Sequence, residues 1–155
     1  TDIAYKGAEF ASATPEVLAA IEAADIIVFA PSNPLLSIAP MLAIPQIRDA
    51  LAASESTKIA VSPLIGGKAI KGPAEKLLQQ MSYTPGNKGI AEFYQGLCDV
   101  LVIDNQDDGD IDTIESFGLH AHCTSTLMKS DQDKVTLMEE VISAATAYQL
   151  EEPCA

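Results

Sequence analysis

A chain of 155 residues that is 48% hydrophobic and 20% charged can bury the core of one ordinary domain and is too apolar for a disordered segment. Its formal net charge of −13 repels phosphate backbones and anionic lipids, which argues against nucleic acid and membrane as partners. No apolar run approaches the roughly 20 residues that span a bilayer.

In chain order, Thr1-Asp2-Ile3-Ala4-Tyr5-Lys6 has no initiator Met and lacks the basic-then-apolar order of a secretory signal. Ile3-Ala4-Tyr5 is expected as a strand, and the chain as a piece cut from a longer one. Thr14-Pro15-Glu16 places a cap, a proline and an acid where a helix begins, and that helix is expected to run to Ala24. Asp25 to Ala30 is a continuous apolar run, as are Lys58 to Val61 and Val100 to Ile103; Gly118 to Cys123 is a weaker one. Helices are expected over Ile44–Ala53, Pro73–Met81, Ile90–Leu97 and Ile111–Phe117. A long amphipathic helix follows over Asp131–Gln149, with Val135, Leu137, Met138, Val141, Ile142 and Ala145 at helical spacing. Apolar strands without alternation, separated by helices, predict an α/β fold with a doubly wound, mostly parallel sheet of about four to five strands. Residues 1–150 read as one unit and 151–155 as a frayed tail. Cys98, Cys123 and Cys154 match no disulfide framework or paired zinc motif and read as reduced thiols.

Ligands of open α/β sheets sit beyond the C-terminal ends of the strands, so the loops after Ala30, Val61, Ile103 and Cys123 are the ones to inspect. The first, Pro31-Ser32-Asn33-Pro34-Leu35-Leu36-Ser37, is stiffened by two prolines and offers Ser32, Asn33 and Ser37 as neutral donors. Its other reading is a Pro-rich turn with Asn33 as a helix cap. The second, from Ser62 through Gly66-Gly67-Lys68-Ala69-Ile70-Lys71-Gly72-Pro73, pairs glycines with lysines. Gly66 and Gly67 let backbone approach a ligand, and Lys58, Lys68, Lys71 and Lys76 gather positive charge that the chain otherwise lacks. Neither a Walker A sequence nor a dinucleotide glycine fingerprint is present, and a flexible turn with solvated lysines is the other reading.

Asp104-Asn105-Gln106-Asp107-Asp108-Gly109-Asp110-Ile111-Asp112-Thr113-Ile114-Glu115 partly matches a calcium loop, missing at Gln106, but a buried strand precedes it where an EF-hand needs a helix. An acidic strand-to-helix turn is the simpler reading. His120-x-His122-Cys123 puts both imidazoles on one side of a strand, with no second ligand cluster to complete a metal site. No Gly-x-Ser-x-Gly elbow is present, so no catalytic nucleophile is assigned.

Pro31-Ser32-Asn33-Pro34 and Ile65-Gly66-Gly67-Lys68-Ala69-Ile70-Lys71-Gly72-Pro73-Ala74 resemble the 2-phospho-L-lactate transferase (CofD-like) family. Ser37-Ile38-Ala39-Pro40, Gly89-Ile90-Ala91, Tyr94, Asp99, Asp104 and Thr126-Leu127-Met128 follow in order, so the likeness runs from about Lys6 to Gln149. Ser125 departs from the family, which often has Asp there, and Lys68 stands where Arg is common. The resemblance implies a Rossmann-like enzyme about twice this length, cytoplasmic and homodimeric, of which residues 1–150 form the C-terminal half. It implies transfer of a phospholactyl or phosphoenolpyruvyl group from a guanosine diphosphate-linked donor to the deazaflavin Fo. GMP leaves, and Mg2+ assists, held by ligands in the N-terminal half. It also implies that Ser32, Asn33, Pro34, Ser37, Gly66, Gly67, Lys68, Lys71 and Gly72 face the nucleotide. The alternatives are a non-catalytic nucleotide-sugar-binding regulator of the same superfamily and a calcium-binding module.

Overall fold

The computed structural model describes residues 3–69 and 74–151. Strands β1 (Ile26–Phe29), β2 (Thr57–Val61), β5 (Val100–Asp104) and β6 (His120–Thr124) form one sheet in the order β1-β2-β5-β6. All three pairings are parallel. A short hairpin of β3 (Leu64–Ile65) and β4 (Lys68–Ala69) stands apart. The helices are α1 (Pro15–Glu22), α2 (Ala39–Leu42), α3 (Pro45–Ala53), α4 (Ala74–Gln80), α5 (Asn87–Tyr94), α6 (Ile111–Glu115) and α7 (Asp131–Glu151). This is the expected Rossmann-like, doubly wound architecture.

The sheet has two unequal covers. On one face Phe29, Ala60, Leu101 and Ile103 pack against Leu51 of α3, Leu78 of α4, Ile90 and Tyr94 of α5 and Ile114 of α6. Each fully buried Leu or Ile side chain contributes roughly 1.5–3 kcal/mol, so this layer dominates the stability. On the other face Ile59, Val61, Val100 and Val102 meet Leu137, Val141, Ala144 and Ala145 of α7 alone. Two faces, each with its own cover, explain why the central strands read as unbroken apolar runs.

Three local expectations are corrected. Ile3–Tyr5 is not a strand: the Tyr5 hydroxyl donates to the Leu35 carbonyl at 2.6 Å, and Ile3 packs on the core instead of pairing. The Gly66-Gly67 stretch is no flexible loop. Both glycines have positive φ, 59° and 71°, and form the two-residue turn between the paired Ile65 and Lys68. Helix α5 starts at Asn87, ahead of the expected Ile90. Its first turn lies so close to the preceding loop that a Cβ on Gly89 would stand 1.9 Å from the Thr84 carbonyl oxygen.

Among the described residues, no single helix is long and apolar enough to cross a membrane. The apolar pair Pro34–Leu42 and Pro45–Ala53 is bent by 86°, and its Leu35, Ile38 and Leu51 lie in the core.

Candidate active site

Adjacent parallel strands β1 and β2 send their following loops out of the same edge of the sheet. After β1, Asn33 caps a π-helical turn over Pro34–Ile38. Its Oδ1 accepts the N–H groups of Leu35 at 3.0 Å and Leu36 at 3.2 Å, and its carbonyl accepts that of Ser37 at 2.9 Å. The amides at this turn are therefore already engaged. The other end of the same side chain is not: Asn33 Nδ2 is buried and has no hydrogen-bond partner among the described residues. A buried amide donor without an acceptor is uncommon and costs about 1–3 kcal/mol. Ser32 is half-buried, Pro34 buried and Ser37 exposed.

After β2, the Ser62 hydroxyl donates to Asn87 Oδ1 at 2.6 Å and accepts the Leu64 N–H at 3.2 Å. Asn87, fully buried, passes its own amide to Asp110 at 3.1 Å. This chain of bonds fixes the start of the β3–β4 hairpin. The tip of the hairpin is clasped as well. Asp107 Oδ2 accepts the Gly66 N–H at 3.0 Å and Oδ1 the Gly67 N–H at 2.7 Å. An incoming phosphate would meet these amides already held by a carboxylate. Lys68 is exposed on β4. Lys71 and Gly72 lie outside the described residues.

The ends of β5 and β6 are joined by Asp104, which is buried. Its carboxylate accepts the Gln106 N–H at 3.1 Å, the Thr126 N–H at 3.0 Å and the Thr126 hydroxyl at 3.2 Å. Burial raises its pKa, but the Thr126 and Gln106 bonds outweigh that and hold it below the ordinary carboxylate range. The neighbouring Cys123 thiol is pushed up, first by burial and then by Asp108, Asp107 and Asp104, so it is no ready nucleophile.

These loops converge on a cleft of about 280 Å³ lined by Pro31, Ser62, Pro63, Ile65, Thr126, Leu127 and Met128. Its walls are mainly apolar, with the Ser62 and Thr126 hydroxyls as polar points and, among the described residues, no charged side chain. A larger hollow of about 980 Å³ lies at the opposite edge of the sheet, among α1, α3 and Gln149. It is ill suited to an anionic ligand: Glu22, Asp25, Asp49 and Glu55 line it and, among the described residues, no lysine or arginine does.

The expected lysine group divides. Lys58 sits at the start of β2, away from the cleft, and its ammonium donates to the Ser54 and Ser56 carbonyls at 2.9 and 3.0 Å. It stabilises the end of α3 instead of facing a ligand. His120 and His122 both turn toward α7, one against the Tyr148 ring at 6.1 Å and the other 3.5 Å from Glu140. Among the described residues, no group of three or more His, Cys, Asp or Glu side chains could hold a metal ion. The carboxylates of Asp104, Asp107 and Asp110 are taken by internal donors. The acidic loop thus does not fit calcium, and these residues do not fit Mg2+.

Sequence reasoning underrated Thr126-Leu127-Met128, which carried only colinearity, and missed Asn87 and Asp107. A buried asparagine inside a polar turn cluster gives no sequence signal, and Asp107 was masked by four further aspartates in its loop.

A family model described as 2-phospho-L-lactate transferase CofD matches residues 1–146. The chain is 38% identical over 141 residues to the 2-phospho-L-lactate transferase of Methanococcus maripaludis strain S2, covering 91% of this chain and 44% of that protein. It is 38% identical to the Methanosarcina mazei enzyme of that name, covering 90% and 45%, and 36% identical to that of Methanocaldococcus jannaschii, covering 91% and 44%. The chain thus spans less than half the length of these curated relatives. Protein BH3568 from Bacillus halodurans has the same fold over 83% of this chain and 46% of its own, with a TM-score of 0.57 at 18% identity.

Proposed function

Because the chain belongs to the 2-phospho-L-lactate transferase CofD family, we propose that it builds one wall of a phospholactyl-transfer site, with the cleft between Pro31, Ser62 and Leu127 as its substrate seat. In that reaction the ribityl hydroxyl of Fo attacks the phosphorus carrying the three-carbon acid. The bridging P–O bond breaks toward GMP, and the hydroxyl proton is released. Such transfers need positioning and charge neutralisation more than covalent help. The same reading takes the donor to be linked to guanosine diphosphate and the assembly to be a cytoplasmic homodimer.

One observation carries the proposal: three loops that share the family's motifs meet in a slot whose walls are prolines and aliphatic side chains. At about 280 Å³ it is at the small end of ligand pockets, which start near ~300 Å³, and it suits one planar heterocycle instead of a whole substrate. Guanine and deazaflavin share that chemistry. The phosphates then extend toward Ser32, Asn33 and Ser37, and the buried Asn33 Nδ2 supplies an uncommitted donor on that side.

Titration of the chain with Fo, followed by its fluorescence, and with GDP, followed by calorimetry, tests the seat. Saturable binding of one of them is expected, weakened tenfold or more by Met128→Trp, which fills the slot from a partly exposed position. Absence of saturable binding by both, or binding indifferent to that substitution, removes the cleft from the site.

A further inference from the structure

We infer that Tyr5 is a positioning residue for the transfer reaction: through one rigid peptide it holds the Asn33 side chain in the orientation that offers Nδ2 to the phosphates. This rests on the reading of Asn33 as a donor on the phosphate side of the cleft, and adds the group that aims it. Tyr5 lies outside both motif loops, 30 residues ahead of the carbonyl it holds.

The need for Tyr5 begins with a proline. In the turn over Pro34–Ile38 the Ala39 N–H donates to the Pro34 carbonyl, five residues back. An α-helical turn would bring Ala39 to the Leu35 carbonyl instead, and a continued π-helical turn would bring residue 40. Ala39 is already engaged, and Pro40 has no N–H. The carbonyl of the buried Leu35 is thus left without a helical donor. The Tyr5 hydroxyl supplies the bond at 2.6 Å. Burial, and after it the neighbouring Tyr83, push the phenol pKa above its ordinary value, so the hydroxyl is a donor at neutral pH. Tyr5 is itself anchored, by Ile3 on the core and by the Ala8 N–H, which donates to the Tyr5 carbonyl at 3.1 Å.

The hold is passed on to Asn33. The Leu35 carbonyl and the Leu36 N–H belong to one planar peptide and point in opposite directions. Tyr5 grips the carbonyl end, and the N–H end donates to Asn33 Oδ1 at 3.2 Å. The Leu35 N–H, one peptide earlier, donates to the same oxygen at 3.0 Å. With Oδ1 pinned by two donors, the planar side-chain amide has its Nδ2 direction set. Bonds at both ends of one peptide also polarise one another, which strengthens the grip on Oδ1. Nδ2 itself is buried without an acceptor among the described residues, so the turn holds ready, at a cost, a donor that it does not use internally. Loss of the Tyr5 hydroxyl lets the 35–36 peptide tilt, and the Asn33 amide turns with it.

The test compares Tyr5→Phe, which keeps the ring, with the parent by NMR of the nitrogen-labelled chain and by calorimetric titration with GDP. The Asn33 side-chain amide signals are identified by their loss in Asn33→Ala. In Tyr5→Phe these signals are expected to shift and to exchange with solvent faster than in the parent, along with the Leu36 amide. GDP binding is expected to weaken about fivefold, the equivalent of one hydrogen bond. In an Asn33→Ala background the same change should cost no further affinity, a coupling that a general loosening of the fold would not produce. Unmoved Asn33 amide signals overturn the inference, whether or not GDP binds. An equal loss of affinity in both backgrounds also overturns it, since Tyr5 would then act without Asn33. Displaced signals in a chain whose parent does not bind GDP remove the phosphate reading of the cleft and leave the link from Tyr5 to Asn33 standing.

Discussion

Asp104 grips Thr126 twice, through the backbone N–H at 3.0 Å and the hydroxyl at 3.2 Å, and so ties the end of β5 to the loop that walls the cleft. Asp104→Ala strips both bonds from the buried Thr126 donors and removes the Gln106 bond as well, and a loss of about 2–3 kcal/mol follows. At ~2–4 °C per kcal/mol for a chain of this size, calorimetry should read a drop of roughly 4–12 °C.

The same carboxylate predicts an acid dependence. Its folded pKa lies below that of the unfolded chain, near ~3.9, so its stabilisation is complete above that value and is lost as pH falls through the folded pKa. Melting temperatures taken from pH 6 to pH 2.5 should fall more steeply for the parent than for Asp104→Ala. Parallel curves would show that this group carries no linkage.

Asn33 separates capping from binding. Asn33→Asp keeps an oxygen for the Leu35 and Leu36 amides but removes the unpartnered Nδ2 and adds negative charge. It should leave stability within about 0.5 kcal/mol of the parent while weakening GDP binding tenfold or more. Asn33→Ala should lose about 1 kcal/mol as well, measured by urea unfolding.

The hairpin clasp is tested at its tip. Gly67→Ala meets no atom within 4 Å but forces φ 71° on a residue with a Cβ, which costs about 1–2 kcal/mol. Asp107→Ala should leave φ untouched and speed amide exchange at Gly66 and Gly67, the two donors it releases.

Gly89→Ala should be the most damaging of these substitutions. The added methyl would stand 1.9 Å from a backbone oxygen, so α5 or the Thr84 loop must move. A loss of roughly 3 kcal/mol or more is expected from urea unfolding, against about 1 kcal/mol of stabilisation from helix propensity alone.

The four strands and most helices were legible because each carries a sustained signal: unbroken β-branched runs for β1, β2 and β5, and capping residues for α1. The β3–β4 hairpin was not, since two-residue strands have no periodicity, and the paired glycines that betray an I′ turn equally suit a phosphate loop. The π-helical turn after β1 was foreseen only as an Asn-capped turn. Of the site, the two motif loops were visible in the residues themselves. The clasp of Asp107 on Gly66 and Gly67 joins residues about 40 positions apart, and the retreat of Lys58 to α3 depends on strand direction. Neither can be read from spacing.

The bond from Asn87 to Asp110 settles which way round the buried amide sits, since a carboxylate can take only the nitrogen end. Its oxygen must then face Ser62, whose single proton is consumed there. Whatever Ser62 extends toward a guest in the cleft, it extends as a lone pair. The slot should therefore prefer a ring that presents an N–H edge and disfavour the N-methylated analogue of the same ring.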